Sequence, residues 1–303
     1  MNRALIYRIA GLVGLNGLAR AVFARRLLVL SYHGVCGAQP DVADPDGLHV
    51  PVALFEQQMA FLTRHYRPVS LAEVRDSFFA GIELPPAAVL LTFDDGYRNV
   101  ARYALPVLER MRIPAVLFPV PGLIERERWL WTSELEWRRG GDPDFPRLRS
   151  WLKKISAEAR REWLERELEA PDRYPDCEHS LMNWDEINAI KHEIEIGSHS
   201  LNHDPLTGCD EWQLQAELSL SRRLLAEKAG IEAEAVAYPN GDFSPAVMAA
   251  AERAGYKLGF TTVARHVRES DEPLALPRIL VGRSDTPTVL AARLAGWQEW
   301  VRR

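Results

Sequence analysis

Short apolar runs that break off abruptly into polar residues recur along the chain, separated by stretches with apolar residues at helical spacing. "RLLVLSYHGV" at 26–35 sets the pattern and "AAVLLTFDDG" at 87–96 repeats it. Further strand candidates are "PAVLFPV" (114–120), "EIEIGSHS" (193–200), "EAVAYPNG" (234–241), "KLGFTT" (257–262) and "LALPRILV" (274–281). Short apolar runs of this kind suit buried strands. Between them lie helix signals. Ser70 with Glu73 forms a capping box ahead of Val74 and Phe78, and Asn183 with Glu186 offers another. Leu214, Leu218 and Leu225 share one face of a helix that starts near Asp210 and stops at Gly230. Ser244-Pro245 opens a short helix that Gly255 closes.

Strands that alternate with helices predict an α/β fold with a parallel sheet. Seven strand candidates are enough to close a distorted (β/α) barrel, in which working residues gather at the C-terminal strand ends. His33, Asp94, Asp95, His199 and Tyr238 all fall at such ends. The pattern weakens from Leu123 to Cys177. "ERERWLWTSELEWRRGGDPDFP" is rich in tryptophan and charge, and "SAEARREWLERELEA" at 156–170 reads as a solvated helix with i,i+4 ion pairs. We read 123–180 as a helical insertion on a single domain spanning 26–303, because it shows no apolar core pattern of its own.

The first 25 residues are basic and apolar, but Arg8, Arg20 and Arg25 interrupt any membrane-length run. They predict an amphipathic helix that packs on the domain or lies on a membrane surface. A net charge of -5 gives no electrostatic argument for nucleic-acid binding. Three cysteines, Cys36, Cys177 and Cys209, without CxxC spacing, argue against a disulfide scaffold and for a reducing compartment. The expected location is cytoplasmic, peripheral to the membrane if the N-terminal helix binds lipid.

Candidate chemistry lies in two motifs. "HSLNH" places His199 and His203 four apart; a helical turn there would bring both imidazoles to one face, about 5–6 Å apart at Cβ. Such a pair is a weak signal alone. A carboxylate from another strand end completes a two-histidine, one-carboxylate set that leaves positions open for water and substrate. "TFDDG" supplies two. One carboxylate can bind the ion while the other takes a proton, and the cation relieves their repulsion.

"TFDDG" with "HSLNH" resembles the NodB-type polysaccharide deacetylases of carbohydrate esterase family 4, over about 28–281. "SYHGV", "FEQQMAFL" (55–62), "VAYPNG" and "LPRILV" resemble the branch associated with exopolysaccharide synthesis. The resemblance implies a divalent metal, commonly zinc, on Asp95, His199 and His203. It implies Asp94 as the general base, with a backbone N–H in the Tyr238–Pro239 region as a second donor to the oxyanion. It also implies removal of N-acetyl groups from a hexosamine-containing glycan. Three departures stand out. Asp204 replaces the proline that usually follows the second histidine. "AYPNG" lacks the arginine that orients the base, a role Arg278 in "LPRIL" is placed to fill. No late histidine follows as the acid for the leaving amine; His33 is a candidate, and His266, in "VARHVRES", reads as exposed loop. Asn240 stands where the branch often carries an aromatic residue. Trp129, Trp131 and Trp137 offer sugar platforms or core. Rival readings are an O-deacetylase, a carbohydrate-binding relative without turnover, and a non-haem iron oxygenase, the last disfavoured by the second aspartate.

Overall fold

The structure, a computed structural model, describes residues 23–37, 44, 46–168, 171, 174–177 and 179–296. The expected N-terminal helix lies, except for its last residues, outside them. The first elements are β1 (Leu28–Tyr32), β2 (Gly34–Cys36), β3 (His49–Pro51), α1 (Val52–His65), β4 (Arg67–Pro68), α2 (Leu71–Phe79), β5 (Ala88–Asp95), α3 (Leu105–Met111) and β6 (Ala115–Pro119). Four helices follow: α4 (Pro121–Glu125), α5 (Trp131–Arg139), α6 (Phe145–Leu152) and α7 (Ala157–Glu167). The chain then returns through α8 (Trp184–Ile190), β7 (Glu195–Ile196), α9 (Glu211–Ala229), β8 (Ala235–Ala237), α10 (Pro245–Arg253), β9 (Leu258–Phe260), β10 (Ile279–Leu280) and α11 (Pro287–Leu294).

The strands close a parallel barrel. The main sheet runs β10-β1-β5-β6-β7, with β4 beside β5, and β8 pairs with β9. Two single bridges join these pieces, Ser198 to Val236 and Phe260 to Leu276. Ser198 donates to the Ala235 carbonyl and accepts from Ala237, both at 2.9 Å; Leu276 donates to Gly259 at 2.7 Å. All seven strand candidates therefore take part in one ring, which is pinched where β7 and β10 are short.

Alternation along each strand sorts the core. Val29, Leu90, Val116, Phe118, Ala235, Ala237, Leu258, Phe260 and Leu276 form one apolar cluster inside the barrel. Their neighbours Leu28, Leu30, Val89, Leu91, Phe93, Leu117 and Val236 face the helices in a second, larger cluster. This is the two-residue period of a pleated strand buried on both faces. Local chemistry sets the helix ends. Both capping boxes form, at Ser70 with Glu73 and at Asn183 with Glu186. Asp210 with Gln213 adds a third, and Gly230 ends α9 in the left-handed region.

Three expectations change. The insertion has a small core of its own, in which Leu135, Phe145, Leu152, Leu164 and Leu168 pack with Trp131 and Trp163. It was hidden in sequence because several short helices each contribute one or two residues. Helix α7 is correspondingly not fully solvated: Arg160 and Leu164 are buried. His266 is also buried, stacked on Phe23 at 4.6 Å rather than exposed.

Gly96, directly after β5, has φ +81, and an added Cβ would lie 2.9 Å from Pro119. Gly96→Ala should therefore lower stability by about 1–3 kcal/mol. Gly81 has φ +68 with open space around it. Gly81→Ala isolates the backbone cost and should be the milder change; urea midpoints that rank the two variants the other way would refute the steric account.

Candidate active site and metal centre

Asp94 and Asp95 end β5, and the strand's alternation sends their carboxylates apart. Asp94 turns into the barrel, where both its oxygens meet the Arg278 guanidinium, Oδ1 at 2.7 Å and Oδ2 at 2.8 Å. Ser31 also donates to Oδ2 at 3.1 Å. A carboxylate has about four acceptor directions. Two on Oδ2 and one on Oδ1 are filled by these contacts, which leaves Oδ1 free to accept one more proton. Burial alone would push the Asp94 carboxyl up, but Arg278, with His199 and His33, outweighs it and holds the group well below the usual carboxylate range.

Arg278 is fully buried. It precedes β10 rather than standing at that strand's C-terminal end, and it reaches Asp94 through the barrel interior. Its Nε donates to the Thr261 carbonyl and Nη1 also to Thr92 Oγ1, both at 3.0 Å. The guanidinium lies over the adjacent rings of Phe118 and Phe260, 5.9 and 5.8 Å from their centroids. Ser31, one residue before the end of β1, and Thr92, three before the end of β5, look in sequence like ordinary buried strand positions. Only the register shows that they complete this network.

Asp95 takes φ +73 and turns over the rim of the barrel. Its Oδ1 lies 3.5 Å from His199 Nε2 and 3.4 Å from His203 Nε2. That oxygen is buried without a hydrogen-bond partner, an expensive arrangement unless something cationic sits there. With metal–ligand bonds of about 2.1 Å, tetrahedral ligands stand about 3.4 Å apart. The donor set and spacing thus fit a divalent ion. His199 Nδ1 donates to the Ala237 carbonyl at 2.7 Å. This fixes the tautomer that leaves the Nε2 lone pair toward Asp95. Burial, opposed by Asp95 and reinforced by His199 and His33, pushes His203 down to about 4, so it too offers a neutral nitrogen.

The histidines meet without the helical turn expected of "HSLNH". Ser200 (φ +62) and His203 (φ +60) are left-handed, and the His203 N–H donates to Ser200 Oγ at 3.1 Å. Such residues persist where their surroundings hold them. Here Glu217 of α9 accepts the Leu201 and Asn202 amides at 3.1 and 2.9 Å. Arg126 donates to Asn202 Oδ1 at 2.6 Å. Asp204, the departure from proline, binds Arg160 at 3.0 Å and also Arg161, both on α7 of the insertion. The insertion therefore grips the loop one residue beyond His203. Nothing in the sequence pairs Asp204 with those arginines, which lie more than 40 positions upstream.

His33 follows β1 beside the site. Its charge bears on Asp94 and His203, and its Nδ1 is buried without a hydrogen-bond partner. The Tyr238–Pro239 expectation does not hold as stated. The Tyr238 N–H is spent on the Phe260 carbonyl at 3.0 Å, its hydroxyl donates to Leu274, and proline has no N–H. The next amide along the turn belongs to Asn240, which is left-handed at φ +58. Trp129 is buried against Trp137 and Tyr174, inside the insertion, and Trp131 carries Arg160 over its ring at 4.9 Å. No disulfide joins Cys36, Cys177 and Cys209.

Because Asp204 supports the backbone next to His203, Asp204→Asn should weaken divalent-metal binding by roughly 10–100-fold, the range for lost outer-sphere support. Calorimetric titration of metal-free protein with zinc reads this directly. An unchanged Kd would show that the loop holds its shape without the insertion.

Comparison with known proteins bears on the fold and the family. Residues 81–259, more than half of the chain, match the profile of the polysaccharide deacetylase family. The poly-beta-1,6-N-acetyl-D-glucosamine N-deacetylase of Escherichia coli K12 is 34% identical over 99 residues, which cover 32% of this chain and 14% of that protein. Two solved structures share the fold. Streptococcus pyogenes deacetylase PplD, in complex with acetate, aligns with a TM-score of 0.65 at 20% identity, over 89% of this chain and 98% of its own. IcaB from Ammonifex degensii aligns with a TM-score of 0.63 at 23% identity, over 89% and 97%. The barrel, the split carboxylates at its rim and the matched profile together identify the chain as a member of the polysaccharide deacetylase family.

Proposed function

We propose that this deacetylase removes N-acetyl groups from a hexosamine-containing polysaccharide or its precursor, in exopolysaccharide or cell-envelope metabolism. Asp95, His199 and His203 would hold a divalent ion, with zinc the expected one. The observation that carries the reading is the separation of two adjacent carboxylates: Asp94 bonded to Arg278, Asp95 facing two imidazoles. The E. coli relative, named for N-deacetylation of a glucosamine polymer, supports the choice of an N-acetyl substrate. A cytoplasmic location is proposed from the three cysteines without CxxC spacing, and a peripheral membrane contact from the basic apolar N-terminal stretch. No helix among the described residues is long and apolar enough to cross a membrane.

When bound, the ion supplies Lewis acidity that makes water nucleophilic near neutral pH. Asp94 accepts the water's proton on the open direction of Oδ1. Arg278 keeps that carboxylate ionised and fixes its plane, since its two parallel N–H bonds admit one orientation. As the carbon–nitrogen bond breaks, His33 gives a proton to the leaving amine, and acetate departs. The Asn240 amide is the backbone donor left on the Tyr238 turn for the oxyanion.

Acetate release from matched N-acetylated and O-acetylated saccharides, with and without chelator, tests the reading. Release only from the N-acetylated set, abolished by chelator and restored by zinc, is expected. Release only from esters would make the protein an O-deacetylase. Asp95→Ala, His199→Ala and His203→Ala should each lose metal and activity together, as elemental analysis will show. Asp94→Asn should keep the metal and lose on the order of 10²–10⁴ in rate, the usual worth of a general base. Near-normal turnover in that variant would assign the base elsewhere.

Arg278 favours ionised Asp94, so its loss raises that carboxyl's pKa and depletes the ionised base at a given acidic pH. In Arg278→Ala the acidic limb of the pH–rate profile should move to higher pH, by roughly 1–3 units for a lost adjacent cation. Arg278→Lys keeps charge without the planar fork and should fall between. An acidic limb that stays in place in both variants excludes this role for Arg278.

A further inference from the structure

We propose that a cleft beside the metal-binding loop is a glycan subsite, with Trp212 as the platform on which one sugar unit stacks. The proposal rests on the deacetylase reading and adds where the substrate chain runs. The cleft encloses about 540 Å³ between α7 and the first turns of α9, within the about 300–1,000 Å³ typical of small-molecule sites. Asn202 and Asp204, which flank His203, form part of its wall. A glycan presenting an acetylated unit at the metal centre thus has the cleft next to it.

Trp212 is 78% exposed, the most exposed large apolar side chain among the described residues. The Asp210 capping box starts α9 and holds Trp212 in its first turn, at the cleft's edge. Exposing an indole forgoes the free energy of burying one of the largest apolar surfaces a side chain offers. Around it the cleft presents Lys153, Glu158, Arg161 and Gln213, groups of both charge signs; Arg161 is bonded to Asp204 and Gln213 to Glu158, which leaves their remaining N–H and acceptor directions for a ligand. A pyranose has the matching surface: a C–H face for the indole and an edge of hydroxyls that donate and accept. The mixed charges favour a neutral or weakly charged sugar over a polyanion. The cleft wall is apolar at Ile155, Leu201, Pro205 and Leu220, which suits a sugar's C–H face, whereas a stable protein partner needs about 800 Å² on each side, more than a cleft of this size offers.

The experiment uses N-acetylated glucosamine oligomers, from monosaccharide to hexasaccharide, with wild type, Trp212→Ala and Trp212→Phe. Truncating a stacking anchor should raise KM for the longer oligomers about tenfold. The kcat, and all kinetics on the monosaccharide, should stay unchanged, and Trp212→Phe should recover most of the loss. A KM that does not change with Trp212→Ala, or changes equally for every length, overturns the subsite. Calorimetric binding of the hexasaccharide to Asp94→Asn, with and without Trp212→Ala, separates the two readings. Failure to release acetate from any saccharide sinks the deacetylation reading, whereas hexasaccharide binding that Trp212→Ala leaves intact, or that is absent from both proteins, sinks the subsite.

Discussion

A negative charge held inside a closed barrel is the constraint on which the rest of the site depends. Taking a carboxylate and a guanidinium out of water costs several kcal/mol per ion, and only close, well-satisfied geometry recovers it. The Asp94–Arg278 fork meets that condition with two bonds to one carboxylate, completed by Ser31, Thr92 and the Thr261 carbonyl. Those partners come from β1, β5 and the segments around β9 and β10. The pair therefore helps set how the two sides of the ring face each other. It also leaves Asp94 ionised beside Asp95, a state that two neighbouring acids resist without cations nearby.

The same strand end solves a second problem. Under the proposed mechanism a metal-binding carboxylate and a proton-accepting carboxylate must be close but must not compete for the same partners. The pleat turns Asp94 inward, and the left-handed Asp95 tips its carboxylate over the rim. Gly96 then lets the chain pass close under Pro119. The two histidines that face Asp95 arrive on a loop whose Ser200 and His203 are left-handed. Glu217, Arg126 and the Asp204–arginine contact hold it from three directions. The helical insertion is thus part of the site's support, and it also walls the cleft that Trp212 borders.

What the sequence determined by itself was the barrel and the residue types of the site. Seven buried apolar runs alternating with capped amphipathic helices leave few other architectures, because each run must be covered on both faces. The adjacent aspartates and the histidine pair were legible because their chemistry is rare in combination and their positions all fell at strand ends. The tertiary structure decided the contacts between distant segments. Arg278 was a candidate from sequence, but its fork on Asp94 depends on barrel closure bringing together residues 184 positions apart. The left-handed path of the His203 loop, the Asp204 clamp, the insertion's small core and the burial of His266 have no local signature. Backbone conformation at non-glycine residues and ion pairing over long separations are imposed by packing, and no short window of sequence contains the partner that imposes them.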